Sequence, residues 1–208
     1  MANQDIYEAV LKMDKQRVPN LVKAELDAGT DVLSILNDGL IAALDEVGKR
    51  FSEGSLFVPE MLLAARVMSL GLDLLRPVLA ETGVKPKGTV VIGTVKGDLH
   101  DIGKNVVAMM LEGSGFKVVD LGVDVSADKF AEAAKENQAD LVALSSLLTT
   151  TMRAMEEIVS TLKHQGNGVK ILVGGAPVTQ KFANDIGADG HGLDAPGGVM
   201  QARKLLGI

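Results

Sequence analysis

The segment Asp98-Leu99-His100-Asp101-Ile102-Gly103 holds the residue types best suited to chemistry in this chain. A carboxylate two residues before an imidazole can accept a hydrogen bond from one ring nitrogen. That bond fixes the tautomer and makes the other nitrogen a better metal ligand. Alone, Asp-x-His-x-x-Gly says little, since three fixed letters recur by chance and a single loop histidine is more often a plain polar surface residue. Two further groups follow at set distances. Residues 104–144, 41 positions, separate Gly103 from Ser145-Ser146-Leu147, and residues 148–173, 26 positions, separate Leu147 from Gly174-Gly175. Glycine lets a backbone approach a bound group closely, with an ordinary turn as the plain alternative. A serine pair at a strand end can equally cap a helix.

These groups need elements to hold them. From residue 88 onward, apolar runs that read as buried strands alternate with helical patterns. The spacing predicts strands at 88–95, 117–121, 141–145 and 169–173, and a short weak one near His191. Helices are expected at about 102–112, 127–136, 152–164, 178–186 and 197–206. Alternating β and α units with continuous apolar strands imply an α/β fold, a five-stranded parallel sheet of flavodoxin-like, Rossmann-type layout covered by helices on both faces. Asp98 and His100, Ser145, and Gly174 then all fall at carboxyl ends of strands, where open α/β sheets bind ligands. Lys104-Asn105 beside glycines is not a phosphate loop, because Gly-x-x-x-x-Gly-Lys-[Ser/Thr] is missing.

Before residue 85 the apolar residues recur at helical spacing instead. Ile6, Val10 and Met13 mark one helix; Leu21, Val22 and Leu26 a second, ended at Gly29. A third is capped by Asp31 and runs through Leu33 and Leu40 to Val47. The fourth starts at Pro59 and runs through Leu75, with Pro77 as a kink or its decline. Four helices with short connections make a small bundle. The expected division is a helical domain at 1–84 and an α/β domain at 88–208, joined by a polar linker at 82–87.

Composition narrows the classes. With 208 residues and 47% hydrophobic content there is ample core, and 21 basic against 27 acidic residues (net −6) argue against general nucleic-acid binding. Cysteine is absent, which excludes disulfides, thiolate metal sites and a cysteine nucleophile. The start lacks a signal-peptide pattern, and no run nears the roughly 18 apolar residues of a bilayer span. A soluble cytoplasmic protein is expected. With aromatics at 3% and no Trp, the nine Met must help to fill the core.

Asp98-x-His100-x-x-Gly103, Ser145-x-Leu147 and Gly174-Gly175 at these spacings together resemble the signature of domains that bind cobalamin, or a related corrinoid, base-off and His-on. The resemblance implies that His100 replaces the cofactor's own base as the axial cobalt ligand. It also implies that Asp98 and a hydroxyl form a relay behind His100. Alignment from Ser145 puts that hydroxyl at Thr151, where the family often has Ser, with Thr149 and Thr150 as rivals. Ser145 and Thr149 would line the slot for the displaced nucleotide tail, and Asp101, Ile102, Gly103, Leu147, Gly174 and Gly175 complete the binding set. Phe51-Ser52-Glu53-Gly54-Ser55-Leu56-Phe57-Val58-Pro59-Glu60-Met61 is similar to the cap bundle of methyl-carrying corrinoid proteins and of cobalamin-dependent methionine synthase. By motif, Phe51 and Val58 would shield the methyl face; the family often has Leu at the second position.

The two resemblances cover about residues 30 to 206 and imply a methyl-carrier corrinoid protein in the methylcobalamin form. One partner methyltransferase would load it from an O- or N-methylated donor, and a second would pass the methyl to tetrahydrofolate or coenzyme M. A reductive activating protein would restore the cofactor, and residues 82–87 would be the hinge by which the cap moves aside. No second catalytic constellation is visible, so the chain is expected to work as a subunit. Three alternatives stand beside this. The cobalamin subunit of an adenosylcobalamin mutase would need a large barrel partner and no methyl-shielding cap. A cobalamin-sensing regulator would need a basic DNA-binding module. A receiver-type domain would need an acidic residue at the end of the third strand, where Ser145-Ser146 stands. Methanol, methylamines, betaines and methoxylated aromatics all remain open as donors.

Overall fold

Two carboxylates set the starts of the early helices. In the computed structural model, which describes residues 2–81, 83, 85–166 and 168–208, α1 (Ala2–Leu11) ends before Met13, which takes a left-handed φ of 56°. The expectation that the first helix reaches Met13 is therefore corrected. The Asp14 carboxylate next accepts the backbone N–H groups of Gln16 and Arg17 at 3.1 and 2.9 Å, which starts α2 (Arg17–Asp27). Asp31 accepts Ser34 N–H at 3.0 Å and opens α3 (Val32–Ser34).

The third expected helix is not uniform. Between α3 and α4 (Ala42–Ser52) lies a π-helical stretch, Ile35–Ile41, closed by Ala42 N–H bonding to the Asn37 carbonyl five residues back. Asn37, Asp38 and Gly39 are three weak helix formers in succession, so the wider turn costs little there. Gly39 also sits where a Cβ would come within 3.1 Å of Ile6 Cγ2. The last helix, α5 (Val58–Glu81), carries Pro77 inside it and continues for another turn. Ile6, Leu40, Leu44, Met61, Met68 and Leu75 fill the helical core.

The chain divides into two compact units, Met1–Lys85 with Glu112–Gly115, and Pro86–Leu111 with Phe116–Ile208. Of the expected domain and linker boundaries, Met1, Thr82 and Val84 lie outside the described residues. No helix among the described residues is long and apolar enough to cross a membrane.

The second unit alternates β1 (Thr89–Thr94), α6 (Ile102–Gly113), β2 (Lys117–Asp120), α7 (Ala127–Glu136), β3 (Leu141–Ser145), α8 (Met152–His164), β4 (Lys170–Gly174), α9 (Gln180–Asp185), β5 (Gly190–Gly192) and α10 (Ala195–Leu206). The strands form one parallel sheet in the order β2-β1-β3-β4-β5, as the alternation predicted. Side-chain caps move two helix starts from their expected places. Thr179 accepts Phe182 N–H at 3.1 Å, so α9 starts at Gln180; Asp194 accepts Gly197 N–H at 2.7 Å, so α10 starts at Ala195 rather than Gly197.

Alternation along the strands sorts the two faces. Val91, Val142, Leu144, Ile171 and Val173 pack with Phe130, Met155, Ile158 and Leu162 from α7 and α8. The Phe130 ring lies where a Cβ on Gly93 would come within 2.8 Å of its Cζ, so strand and ring are fitted to each other. Because Phe130 is fully buried, Phe130→Ala should cost about 3–5 kcal/mol, read as a lower urea midpoint with unchanged slope.

Candidate functional site

The chain runs from β1 outward to β2 and then back to β3 on the other side of β1, so the topological switch lies between β1 and β3. The two loops that leave there carry Asp98–His100 and Ser146–Thr151. Six polar or charged side chains are buried among the described residues, and five of them, Thr94, Asp98, Lys104, Ser146 and Thr151, lie at this rim. Buried polar groups are costly, and their concentration marks the site.

Asp98 is 0% exposed, and every bond to its carboxylate comes from the two loops. Its Oδ1 accepts His100 N–H at 3.0 Å and meets His100 Nδ1 at 2.7 Å. Its Oδ2 accepts Leu147 N–H at 2.8 Å, Leu148 N–H at 3.3 Å and the Thr151 hydroxyl at 2.8 Å. Ser146 Oγ stands 2.7 Å from Thr151 Oγ1 and 3.5 Å from Asp98 Oδ2. With Thr151 donating to the carboxylate, Ser146 can donate to Thr151. The hydroxyl that reaches Asp98 thus belongs to Thr151, while Thr149 and Thr150 are exposed.

His100 is 51% exposed in its side chain. With Nδ1–H donating to Asp98, the lone pair of Nε2 is left on the opposite side of the ring. The His100 backbone is fixed too, since Thr94 Oγ1 donates to its carbonyl at 2.9 Å. Large aliphatic side chains on the two loops and the start of α6 are without cover: Leu99 at 71% and Ile102 at 73% exposed, with Leu147 and Leu148 also exposed. Such a group on a water-facing rim suits an apolar ligand.

The sheet register adds a feature the spacing did not disclose. Thr94, Ser145, Gly174 and Gly192 are partners across four neighbouring strands and form one row of small residues at the carboxyl end. The row faces away from the Phe130 core. One strand pair deeper on the same face, Ile92, Ala143 and Leu172 are apolar and buried. Ser145 belongs to this row and not to the Asp98 cluster; Ser146 is the serine that joins it. His191 pairs with Val173, which points it to the opposite face, where its Nε2–H donates to the Val178 carbonyl at 3.0 Å.

The glycines divide by what surrounds them. A Cβ on Gly175 would fall 1.9 Å from the Ser146 carbonyl oxygen, and its φ is +131°, so the fold itself demands glycine. A Cβ on Gly174 would stand 3.2 Å from the Gly192 oxygen, whereas one on Gly103 would meet nothing within 4 Å. Asp101 is exposed, and its Oδ2 accepts Asn105 Nδ2–H at 3.1 Å. Lys104, buried beside them, donates to the Asp120 carboxylate and to Asn105 Oδ1, tying α6 to the end of β2. Phe51 and Val58 belong to the helical unit, half-buried at the end of α4 and exposed at the start of α5. Ser146, Thr94 and Asp120 were given no role from the sequence, and Lys104 was weighed only as part of a phosphate loop; Thr94, a lone hydroxyl closing an apolar strand, left the clearest trace.

Burial, the largest single influence on Asp98, pushes its pKa up. The backbone N–H groups of His100 and Leu147, then the side chains of His100 and Thr151, outweigh it, so the carboxyl sits well below its ordinary value of 3.8. The folded protein therefore binds this proton less tightly than the unfolded chain. The stability contributed is complete above 3.8 and falls away below it, by at most about 1.4 kcal/mol per pH unit. Urea unfolding followed across this range should show Asp98→Asn less stable at neutral pH, with a flatter acid dependence. Equal slopes in the two proteins would exclude Asp98 as the source.

Comparison with known proteins gives this geometry its context. Residues 88–198 match the model of a B12 binding domain, and residues 2–76 match a second model described as a B12 binding domain. A trimethylamine corrinoid protein of Methanosarcina acetivorans is 43% identical, over 96% of this chain and 94% of that protein. A corrinoid protein of Desulfitobacterium hafniense is 38% identical, over 98% and 96%. Among solved structures, a cobalamin-binding protein from Desulfitobacterium hafniense superposes with a TM-score of 0.82 at 30% identity, covering 99% of this chain and 98% of that one. The methanol:cobalamin methyltransferase complex of Methanosarcina barkeri gives 0.85 at 30% identity, over 99% and 80%. The alternation of helical and α/β halves, the Asp98–His100 pair and these matches together place the chain in the B12-binding family of corrinoid proteins.

Proposed function

We propose that this chain carries a methyl group on a bound corrinoid between two methyltransferases, in the cytoplasm. One partner takes the methyl from an O- or N-methylated donor; the other delivers it to tetrahydrofolate or coenzyme M, with a reductive activating protein keeping the cofactor competent. The observation that carries this reading is the Asp98–His100 pair, a buried carboxylate that leaves Nε2 facing the aliphatic rim. Among the described residues no three His, Asp or Glu side chains gather as a metal cage. A metal at His100 must therefore bring most of its ligands with it, as a corrin macrocycle does. The displaced nucleotide tail would run past Ser145 and Gly174, the partly exposed members of the strand-end row, and Gly103 opens onto unfilled space.

The bound corrinoid would supply a cobalt that accepts and releases the methyl group. The chain's own residues do the rest. His100 would hold the cobalt through Nε2, and Asp98 holds the Nδ1 proton and so fixes which ring nitrogen is offered to the metal. Thr151 and the Leu147 N–H hold the Asp98 carboxylate in place behind the ring. Phe51 and Val58, in the helical domain, are assigned to shield the methyl face. The partner assignment draws support from the Methanosarcina barkeri complex. Methylamine donors draw it from relatives named for trimethylamine and dimethylamine at 43% and 40% identity.

Electron paramagnetic resonance of the Co(II) form tests the ligand directly. Protein loaded with a corrinoid lacking its own base should show nitrogen superhyperfine splitting, and His100→Ala should lose it. Splitting that persists in the variant removes His100 from the metal. Gly103 gives an independent check. Gly103→Ala should keep or raise the stability of the free protein, by roughly 0.5–1 kcal/mol for a glycine replaced inside a helix. The same variant should take up corrinoid more weakly. Unchanged uptake would separate Gly103 from the binding surface.

A further inference from the structure

Three non-glycine residues among those described have positive φ: Met13, Gln138 and Asp124. Met13 and Gln138 follow the ends of α1 and α7, an ordinary place for a left-handed residue. Asp124, at φ 54°, instead lies in the loop between β2 and α7, before a helix rather than after one. That conformation turns both its backbone and its side chain onto the neighbouring β1–α6 loop. The Asp124 carboxylate Oδ1 accepts Gly97 N–H at 2.7 Å, and the Asp124 N–H donates to the Asp98 carbonyl at 3.0 Å. Gly97 is itself left-handed, at φ 84°. The following residue continues the seam, with Val125 N–H bonded to the Thr94 carbonyl at 3.0 Å.

We infer that Asp124 is a positioning residue for His100, clamping Gly97 and Asp98 from the β2 side. This rests on the reading of His100 as the metal-facing residue. The side chain of Asp98 is held from the β3 side by the Leu147 and Leu148 N–H groups and Thr151, and its N–H by the Val95 carbonyl at 3.1 Å, but those bonds leave the Gly97 N–H and the Asp98 carbonyl free to swing. Leu99 and His100 are exposed and make little packing of their own. Asp124 removes that freedom by fixing the peptides on either side of the Asp98 Cα. Aspartate is suited to the place because it tolerates a left-handed backbone and its charge strengthens the bond from Gly97.

Three substitutions separate the contributions. Asp124→Asn keeps both the acceptor and the backbone preference, Asp124→Gly keeps only the backbone, and Asp124→Ala keeps neither. In the cofactor-free protein, hydrogen exchange at the Gly97 amide should be roughly tenfold faster in the Gly and Ala variants and near the original rate in Asn, the scale expected for one lost charge-assisted bond. In the Co(II) corrinoid form, the Gly and Ala variants should show a reduced fraction of nitrogen-split spectrum, restored in Asn. Unchanged Gly97 exchange in the Ala variant, or undiminished splitting in a wild-type-like spectrum, overturns the clamp. Absence of splitting in the unsubstituted protein overturns the His100 assignment instead, and Gly97 exchange alone then decides whether Asp124 holds the loop.

Discussion

The buried carboxylate of Asp98 is the constraint on which the rest of the site depends. An unpaired carboxylate with no solvent exposure is strongly disfavoured, so every neighbour must point a donor at it. The β3–α8 loop does so with two peptide N–H groups and the Thr151 hydroxyl, and the β1–α6 loop does so with the backbone and ring of His100. The same bonds therefore satisfy the charge, join the two loops and choose the imidazole tautomer. Because the carboxyl stays ionised, it always accepts from Nδ1. A neutral ring must then present Nε2 outward.

The parallel sheet makes this convergence affordable in backbone terms. β1 and β3 are neighbours with matched register, Thr94 against Ser145, so the loops beyond them start side by side. A sheet of another strand order would put these loops at a distance, and a carboxylate between them would lack its donors. The small residues at the ends of four strands follow from the same register. The row lies on the face away from the Phe130 core, where Gly192 lets the Gly198 backbone of α10 come close, while the rows beneath are filled with buried aliphatic side chains. Stability and binding are thus divided by depth along the strands.

Much of this was legible in the sequence because its signals are local. Continuous apolar runs alternating with glycine-ended helices gave the α/β order, and a carboxylate two residues before a histidine foretold a contact within one loop. Thr151 was implied by the family resemblance, aligned from Ser145. The choice between Ser145 and Ser146 was not legible, because it depends on where β3 ends and the chain leaves the sheet plane. The motif named Ser145 for the tail slot and gave Ser146 no role; Ser145 stays in the strand row, while Ser146 turns into the Asp98 cluster. The π-helical stretch at Ile35–Ile41 was hidden for a related reason: a helical apolar pattern does not distinguish i−4 from i−5 bonding. His191 could be placed at a strand end but not on a face until its pairing with Val173 fixed the alternation.

The two glycine groups show where a motif's meaning must be decided by geometry. Gly175 is required by the protein's own backbone, since the Ser146 carbonyl occupies the space of a side chain. Its place in a binding signature therefore needs no ligand to explain it. Gly103 is the reverse case, since nothing in the protein fills the space beside it and helix propensity argues for almost any other residue. A glycine that the fold penalises and does not use is best explained by something that approaches it from outside. That approach would come at the first turn of α6, three residues from His100 and beside the exposed Ile102, where a flat ligand held by Nε2 would lie. Of the residues in the motif, Gly103 therefore carries more information about the missing partner than the glycine pair does, although both are equally visible in the sequence.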